Sequence, residues 1–348
     1  MTALKIEQSR TLVVGGAGFV GSNLVLALLE QGAGQVIVVD NLLSSEASNI
    51  PLDPRVVFIH GSIADQRILN KLPDQIDFIW HLACYHGNQS SIADPIADHD
   101  NNTLTSLMLF EHLSQKVKTR KVVYAAAGCA VAEKTADNPV ATPEDAPISL
   151  FHDSPYSISK IIGEMYGNYY FTRSGLPFVR ARFQNVYGPR EILGAGQWRG
   201  TPATIWRNVV PTFVWKAING EMLVLDNGGQ GSRDFIFVKD LVEGLIACAL
   251  RGTPGEAYNL ASGVETTIAK LSTTIVEITG SKSVIKTGAK RDWDNSIRRF
   301  GSTEKSKSAL GFSATTSLGQ GLDATVNWFL ANQDFISKTL SRHDRFMK

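Results

Sequence analysis

Cysteine is scarce in this chain. Its 348 residues include three, Cys84, Cys129 and Cys248. An odd, scattered set gives neither a disulfide framework nor the paired spacing of a zinc site, so no metal is expected. A reducing compartment fits that usage, which makes a cytoplasmic location the expectation. Charge of one sign is also missing: 34 basic residues face 33 acidic ones, for a net charge of +1. No basic excess or tail points to nucleic acid or to an anionic membrane surface. Any anionic ligand must be met by a few placed arginines. No apolar run reaches the ~18–20 residues needed to span a bilayer, and the polar stretch from Met1 to Arg10 lacks a secretory pattern. Internal repeats and low-complexity tracts are absent.

What the chain has instead is alternation. Thr11-Leu-Val-Val-Gly15 is a short β-branched run that suits a buried strand. It leads into Gly15-Gly-Ala-Gly18-Phe19-Val20-Gly21 and then a helical pattern with Leu24 and Leu28, Val25 and Leu29 four apart. Strand, glycine turn and helix together form a dinucleotide-binding context: Gly15 makes the turn, Gly18 admits a pyrophosphate, and Gly21 lets helix and strand pack. The helix N-terminus then offers its free N–H groups to phosphate. A second strand, Gln35 to Val39, ends in Asp40, where an acid about 20 residues on binds the adenosine ribose and disfavours a 2′-phosphate. NAD is therefore expected rather than NADP.

Further strands are predicted at Val56–Ile59, Asp77–Trp80, Lys121–Tyr124 and Phe178–Ala181. Helices are expected over Ile96–Lys116, around Tyr156–Lys160, over Val238–Leu250 and around Leu322–Leu330, followed by a basic, frayed tail. This order predicts an α/β fold, a Rossmann-type doubly wound parallel sheet with a smaller mixed α/β substrate domain. The boundaries fall at residues 1–183 plus 235–263 for the NAD domain and 184–234 plus 264–348 for the second. Residues 191–207, rich in glycine with Trp198 and Trp206, read as a lid or substrate loop. Tyr156 and Lys160 lie four apart on one helix face. An ammonium there favours a phenolate, which can take a proton from a sugar or alcohol hydroxyl.

With these residues in view, the chain resembles the extended short-chain dehydrogenase/reductases that act on nucleotide sugars, the UDP-galactose 4-epimerase type above all. The resemblance rests on Gly15–Gly21, Asp40-Asn41, His81-Leu82-Ala83, Asp100-Asn101-Asn102, Tyr156-x-x-x-Lys160, Asn185-Val-Tyr-Gly-Pro-Arg190, Arg233-Asp-Phe-Ile-Phe-Val-Lys-Asp240 and Tyr258-Asn-Leu-Ala-Ser-Gly263. It implies that Gly15, Gly18, Phe19, Val20, Gly21, Asp40, Asn41, Ser62, Ile63, Leu82, Ala83, His86, Asn101, Tyr156 and Lys160 surround NAD. Ser62 stands where the family usually has an Asp, and His86 where the epimerases place a lysine. On the substrate side it implies Ala127, Asn185, Arg190, Val210, Arg233, Arg291 and Asp294. It further implies a homodimer through helices near 96–116 and 155–172.

One departure matters. The family carries a Ser or Thr after the strand that ends near Tyr124, and here Ala127 takes that place. Cys129, two residues on, joins Tyr156 and Lys160 as a catalytic candidate, with Ser154 and a bound water as further stand-ins for the lost hydroxyl. Gly128-Cys129 also lacks the Asp-Glu pair of the dehydratases and the Glu of the decarboxylating relatives. The resemblance therefore implies a 4-epimerase acting on a UDP-hexose or UDP-hexuronate through a 4-keto intermediate. A net C4 oxidoreductase and a catalytically weak binder of NAD and sugar nucleotide are the alternatives.

Overall fold

The computed structural model describes residues 4–128, 140–289 and 298–347. Six strands come first along the chain: β1 (Arg10–Val14), β2 (Gln35–Asp40), β3 (Val56–His60), β4 (Phe78–His81), β5 (Lys121–Ala127) and β6 (Phe178–Phe183). The later strands are β7 (Asn185–Tyr187), β8 (Leu223–Leu225), β9 (Ser232–Phe237), β10 (Ala257–Leu260), β11 (Glu265–Thr267), β12 (Ile285–Thr287) and β13 (Arg298–Arg299). Seven of them build one parallel sheet in the order β10-β6-β5-β4-β1-β2-β3. The strand order reverses between β1 and β4, and such a reversal opens a crevice at the carboxyl ends of the strands.

A smaller unit adjoins it. β9 pairs with β7 and β13 in parallel and with β11 antiparallel, while β8 pairs with β12. Two aspartates of the Arg233–Asp240 motif hold this unit together. Asp234, fully buried, accepts from the backbone N–H groups of Ser262 and Gly263, at 2.8 and 3.0 Å. Asp240 accepts from the N–H groups of Thr315 and Thr316.

The helix Pro155–Ser174 sits unusually close to the sheet. A Cβ on Gly163 would lie 2.1 Å from the Tyr124 hydroxyl oxygen, and one on Gly167 would lie 2.0 Å from Cζ of Phe178. Ser154 caps the helix, accepting from Ser157 N–H at 3.3 Å with Pro155 at its first position. The predicted Ile96–Lys116 helix is present but broken in character. It begins as Pro95–Asp98, widens to π geometry over His99–Leu104 and continues as Thr105–Lys116. There the Thr105 and Ser106 hydroxyls donate to the carbonyls of Asn101 and Asn102, at 2.7 and 2.6 Å. Asn102 turns inward, accepting from Tyr85 N–H at 2.7 Å and donating to Asp98 at 2.7 Å.

The tail is not frayed. After the helix Leu318–Ala331, the helices Gln333–Ser341 and Asp344–Met347 fold back. Ile336 is fully buried, Thr339 donates to the Leu193 carbonyl at 2.8 Å, and the Phe346 and Trp198 rings stack at 4.9 Å. The charged tail sequence hid a narrow apolar face. Among the described residues, no helix is long and apolar enough to cross a membrane.

The close helix–sheet contact leads to a test. Gly167→Ala should lower stability by about 1–3 kcal/mol in urea unfolding, because Phe178 is fully buried and has nowhere to move. Gly319→Ala, with open space at its Cβ, should be neutral or gain up to about 1 kcal/mol. Equal effects at the two sites would contradict the packing argument.

Candidate active site

A cavity of about 1050 Å³ opens at the carboxyl ends of the central strands. One end is the glycine turn. Gly15 has φ +85°, and a Cβ on it would lie 2.6 Å from Ala83 N. A Cβ on Gly21 would lie 2.0 Å from the Gly15 carbonyl oxygen, so the helix Phe19–Glu30 can start this close to β1 only with glycine there. Asp40 ends β2 and accepts from Ala17 N–H at 3.0 Å, Leu42 N–H at 2.8 Å and the Ser45 hydroxyl at 2.9 Å. It thereby fixes both the turn and the loop after it. Phe19, Val20, Asn41, Ser62, Ile63, Leu82, Ala83 and Asn101 line the same cavity. The Asn101 carbonyl lies in the π segment, a distortion that often marks functional positions.

Tyr156 and Lys160 line the cavity from the opposite wall. Lys160 is 3% exposed, and its ammonium donates to the Ala125 carbonyl at 3.0 Å. Its Nζ lies 5.8 Å from the centre of the Tyr156 ring. Burial pushes the Tyr156 hydroxyl well above its ordinary range, and the negative charge of Cys84 adds to that. This differs from the expectation that Lys160 lowers Tyr156. The effect of the ammonium appears on Cys84 instead. Burial raises that thiol, but the Lys160 charge, a hydrogen bond with His86 and the charges of His86 and Arg199 outweigh it, leaving it at about 7. Tyr156 and Cys84 line the same cavity, close enough for each to feel the other's charge.

A chain of polar groups continues from there. The His86 ring stands edge-on to Tyr156, with centroids 5.7 Å apart, and its Nε2 lies 3.3 Å from Asn208 Oδ1. Asn208 Nδ2 donates to Glu191 Oε1 at 2.6 Å. Glu191 is buried, and loss of solvent lifts its carboxyl to about 7. Two guanidinium groups lie alongside. Arg207 donates to the carbonyls of Ser44 and Ala195, and burial brings it down to about 10. Arg199 covers the Tyr85 ring at 4.8 Å.

The sequence-predicted substrate residues are distributed as follows. Asn185, Val210 and Arg233 line the cavity. Arg190 also lines it, but its guanidinium bonds to the Ser22 hydroxyl and the Asn49 carbonyl beside the glycine-turn helix. The Ala127 backbone closes β5 opposite Phe183. Cys129, Arg291 and Asp294 lie outside the described residues. Ser154 does not replace the missing hydroxyl: it is 3% exposed, caps its helix and donates to Asn88 at 3.1 Å. Cys84, Asn208, Glu191, Arg199 and Arg207 were not singled out from sequence. Only Cys84 carried a signal, its place directly after His81-Leu82-Ala83 at the carboxyl end of β4.

The sequence profile of the NAD dependent epimerase/dehydratase family matches residues 11–261. The chain belongs to this family. Among curated relatives, the UDP-glucose 4-epimerase of Mycolicibacterium smegmatis is 30% identical over 324 residues, covering 92% of this chain and 98% of that protein. Among solved structures, the Bordetella bronchiseptica enzyme WbmF in complex with NAD+ matches with a TM-score of 0.87 and 54% identity over 98% of both chains. The same enzyme with NAD+ and UDP matches with a TM-score of 0.87 and 54% identity, over 98% of this chain and 97% of that one.

NAD is the cofactor of this epimerase/dehydratase family member, and the residues fit it. The glycine turn and the first residues of the following helix line the cavity, and Asp40 lines it from the end of β2. The volume is at the upper end of the ~300–1,000 Å³ common for one small molecule, leaving room for a second ligand beside the cofactor.

The charge coupling in this wall is testable. Peptide-mapped alkylation of Cys84 should rise with pH around a midpoint of about 7, and Lys160→Met should move the midpoint up. A midpoint near the ordinary ~8.5 in both proteins would contradict it.

Proposed function

We propose that this protein is an NAD-dependent nucleotide-sugar 4-epimerase. The observation that carries the reading is the convergence of Tyr156, Lys160 and Cys84 on the cavity that the glycine turn also opens into. The relatives are consistent with it: one is a UDP-glucose 4-epimerase, and another was crystallised with NAD+ and UDP.

The chemistry NAD supplies when bound is reversible hydride acceptance at C4 of the sugar. The protein's part is proton handling and orientation. The Tyr156 oxygen takes the C4 hydroxyl proton while its own proton passes to the Cys84 sulfur, a thiolate above about pH 7. The thiol thus does the work of the hydroxyl that Ala127 lacks. Lys160, fixed on the Ala125 carbonyl, keeps the local potential positive. The 4-keto sugar turns over in the cavity, and the protons return along the same path. Asn185 and Arg233 line the cavity and are assigned to the diphosphate, for which guanidinium is a suitable partner. A homodimer joined through the helices near 96–116 and 155–172 belongs to this reading. Exposed Ile96, Ile158, Met165 and Tyr169 supply its apolar face, and sedimentation should read twice the chain mass.

Purified protein should interconvert C4 epimers of a UDP-sugar without net NADH. Tyr156→Phe should lose at least about 10²-fold in rate. The rate should rise with pH through about 7 as Cys84 ionises, and Cys84→Ser should lose that limb. No C4 interconversion with any UDP-sugar would sink the reading, and NADH formed in step with substrate would favour a net oxidoreductase.

A further inference from the structure

Among the described residues, no carboxylate pairs with Arg199. It is 8% exposed, and its Nε and Nη1 are buried without a hydrogen-bond partner among the described residues. Burial lowers its affinity for its proton, with only the Tyr85 and Cys84 charges opposing that. A buried guanidinium left unpaired is costly, and proteins retain one where a ligand completes the pair.

The surroundings sharpen the point. Arg199 and Arg207 repel each other, and Lys160 adds a third cation to the same wall. The carboxylate that acts on Arg207 most closely, Glu191, is itself half neutral near pH 7 because of its burial. The loop carrying Arg199 is clamped rather than loose. Gly196 N–H donates to Glu46 at 3.0 Å, Gln197 N–H to the Leu43 carbonyl at 2.9 Å, and the ring of Trp198 stacks on Phe346. The cation is therefore held in place before any ligand arrives.

Its location separates two sources of negative charge. Arg199, Cys84 and Tyr156 line the same cavity, and the Arg199 charge acts on Cys84. Tyr156 must reach C4 of the sugar, and the carbon attached at C5 is two bonds from C4. A charge near this cluster belongs to the sugar, whereas the diphosphate is assigned to the wall of Asn185 and Arg233.

We infer that the accepted sugar carries a carboxylate, as in a nucleotide hexuronate, and that the Arg199 guanidinium receives it. The inference rests on the nucleotide-sugar reading above and narrows it. A carboxylate supplies the missing negative charge and can accept a fork of two parallel N–H groups that includes one of the orphaned nitrogens. A neutral hydroxymethyl group can accept one hydrogen bond but leaves the buried charge unbalanced, so discrimination against plain hexoses is built into the site.

The test is calorimetric binding to the NAD-loaded protein of UDP-glucuronate, UDP-glucose and UDP, with turnover followed separately. UDP-glucuronate should bind most tightly. Arg199→Met should weaken it by roughly 10²–10³-fold, should collapse its preference over UDP-glucose, and should leave UDP affinity within about threefold. Arg199→Lys, which keeps the charge but loses the fork, should fall between, and it serves if the Met variant fails to fold. Equal affinity for the two sugars in the native protein would overturn the inference. So would a parallel loss of UDP affinity in Arg199→Met, which would assign the anion to the diphosphate. Tight UDP-glucuronate binding without C4 turnover would instead count against the epimerase reading while supporting the carboxylate site.

Discussion

The contact between the Lys160 ammonium and the Ala125 carbonyl organises the active wall. A buried ammonium must have a partner, and the nearest one offered by the sheet is at the end of β5. Reaching it requires the helix to lie against the sheet, which Gly163 and Gly167 permit by presenting no side chain to Tyr124 and Phe178. Once the helix is seated, Tyr156 lies one turn earlier, at the cavity that Cys84 also lines. Helix packing, base placement and local potential thus have one origin.

That potential is positive although the whole chain is nearly neutral. Lys160, Arg199 and Arg207 line the same cavity, and the acids that act on them are Asp98 on Lys160, Glu191 and Glu46 on Arg207, and the Cys84 thiol. The thiol is drawn toward ionisation, and the Glu191 carboxyl resists it through loss of solvent. The wall is electrostatically incomplete by itself. An anionic sugar completes it, and the proton path through Tyr156 and Cys84 makes use of the same excess charge.

Local sequence carried the features whose geometry is local. The glycine turn, Asp40 and the Tyr156/Lys160 spacing each depend on a few neighbouring residues, and each lies where the pattern put it. The strand alternation gave the parallel sheet for the same reason. The features set by distant packing were not legible. Arg199 and Glu191 sit in a glycine-rich loop whose course is fixed by the tail, through Thr339 on Leu193 and His343 on Gly194. The tail read as frayed because its apolar face is narrow. Ser154 looked like a reactive neighbour of Tyr156, but a serine before Pro155 is a helix cap first. The Asp234 and Asp240 positions, part of a motif that carried the family resemblance, act as backbone clamps. Lys160 meets Tyr156 as the spacing predicts, and its charge also acts on Cys84, a neighbour that spacing alone does not show.

The central claim is that C4 is oxidised and reduced again within one closed site. Epimerisation of a substrate deuterated at C4, carried out in ordinary water, tests it most directly. The account predicts full retention of deuterium at C4 of the epimerised product. Loss of the label to solvent would contradict it, because inversion would then proceed by exchange of a proton at that carbon and not by hydride leaving and returning.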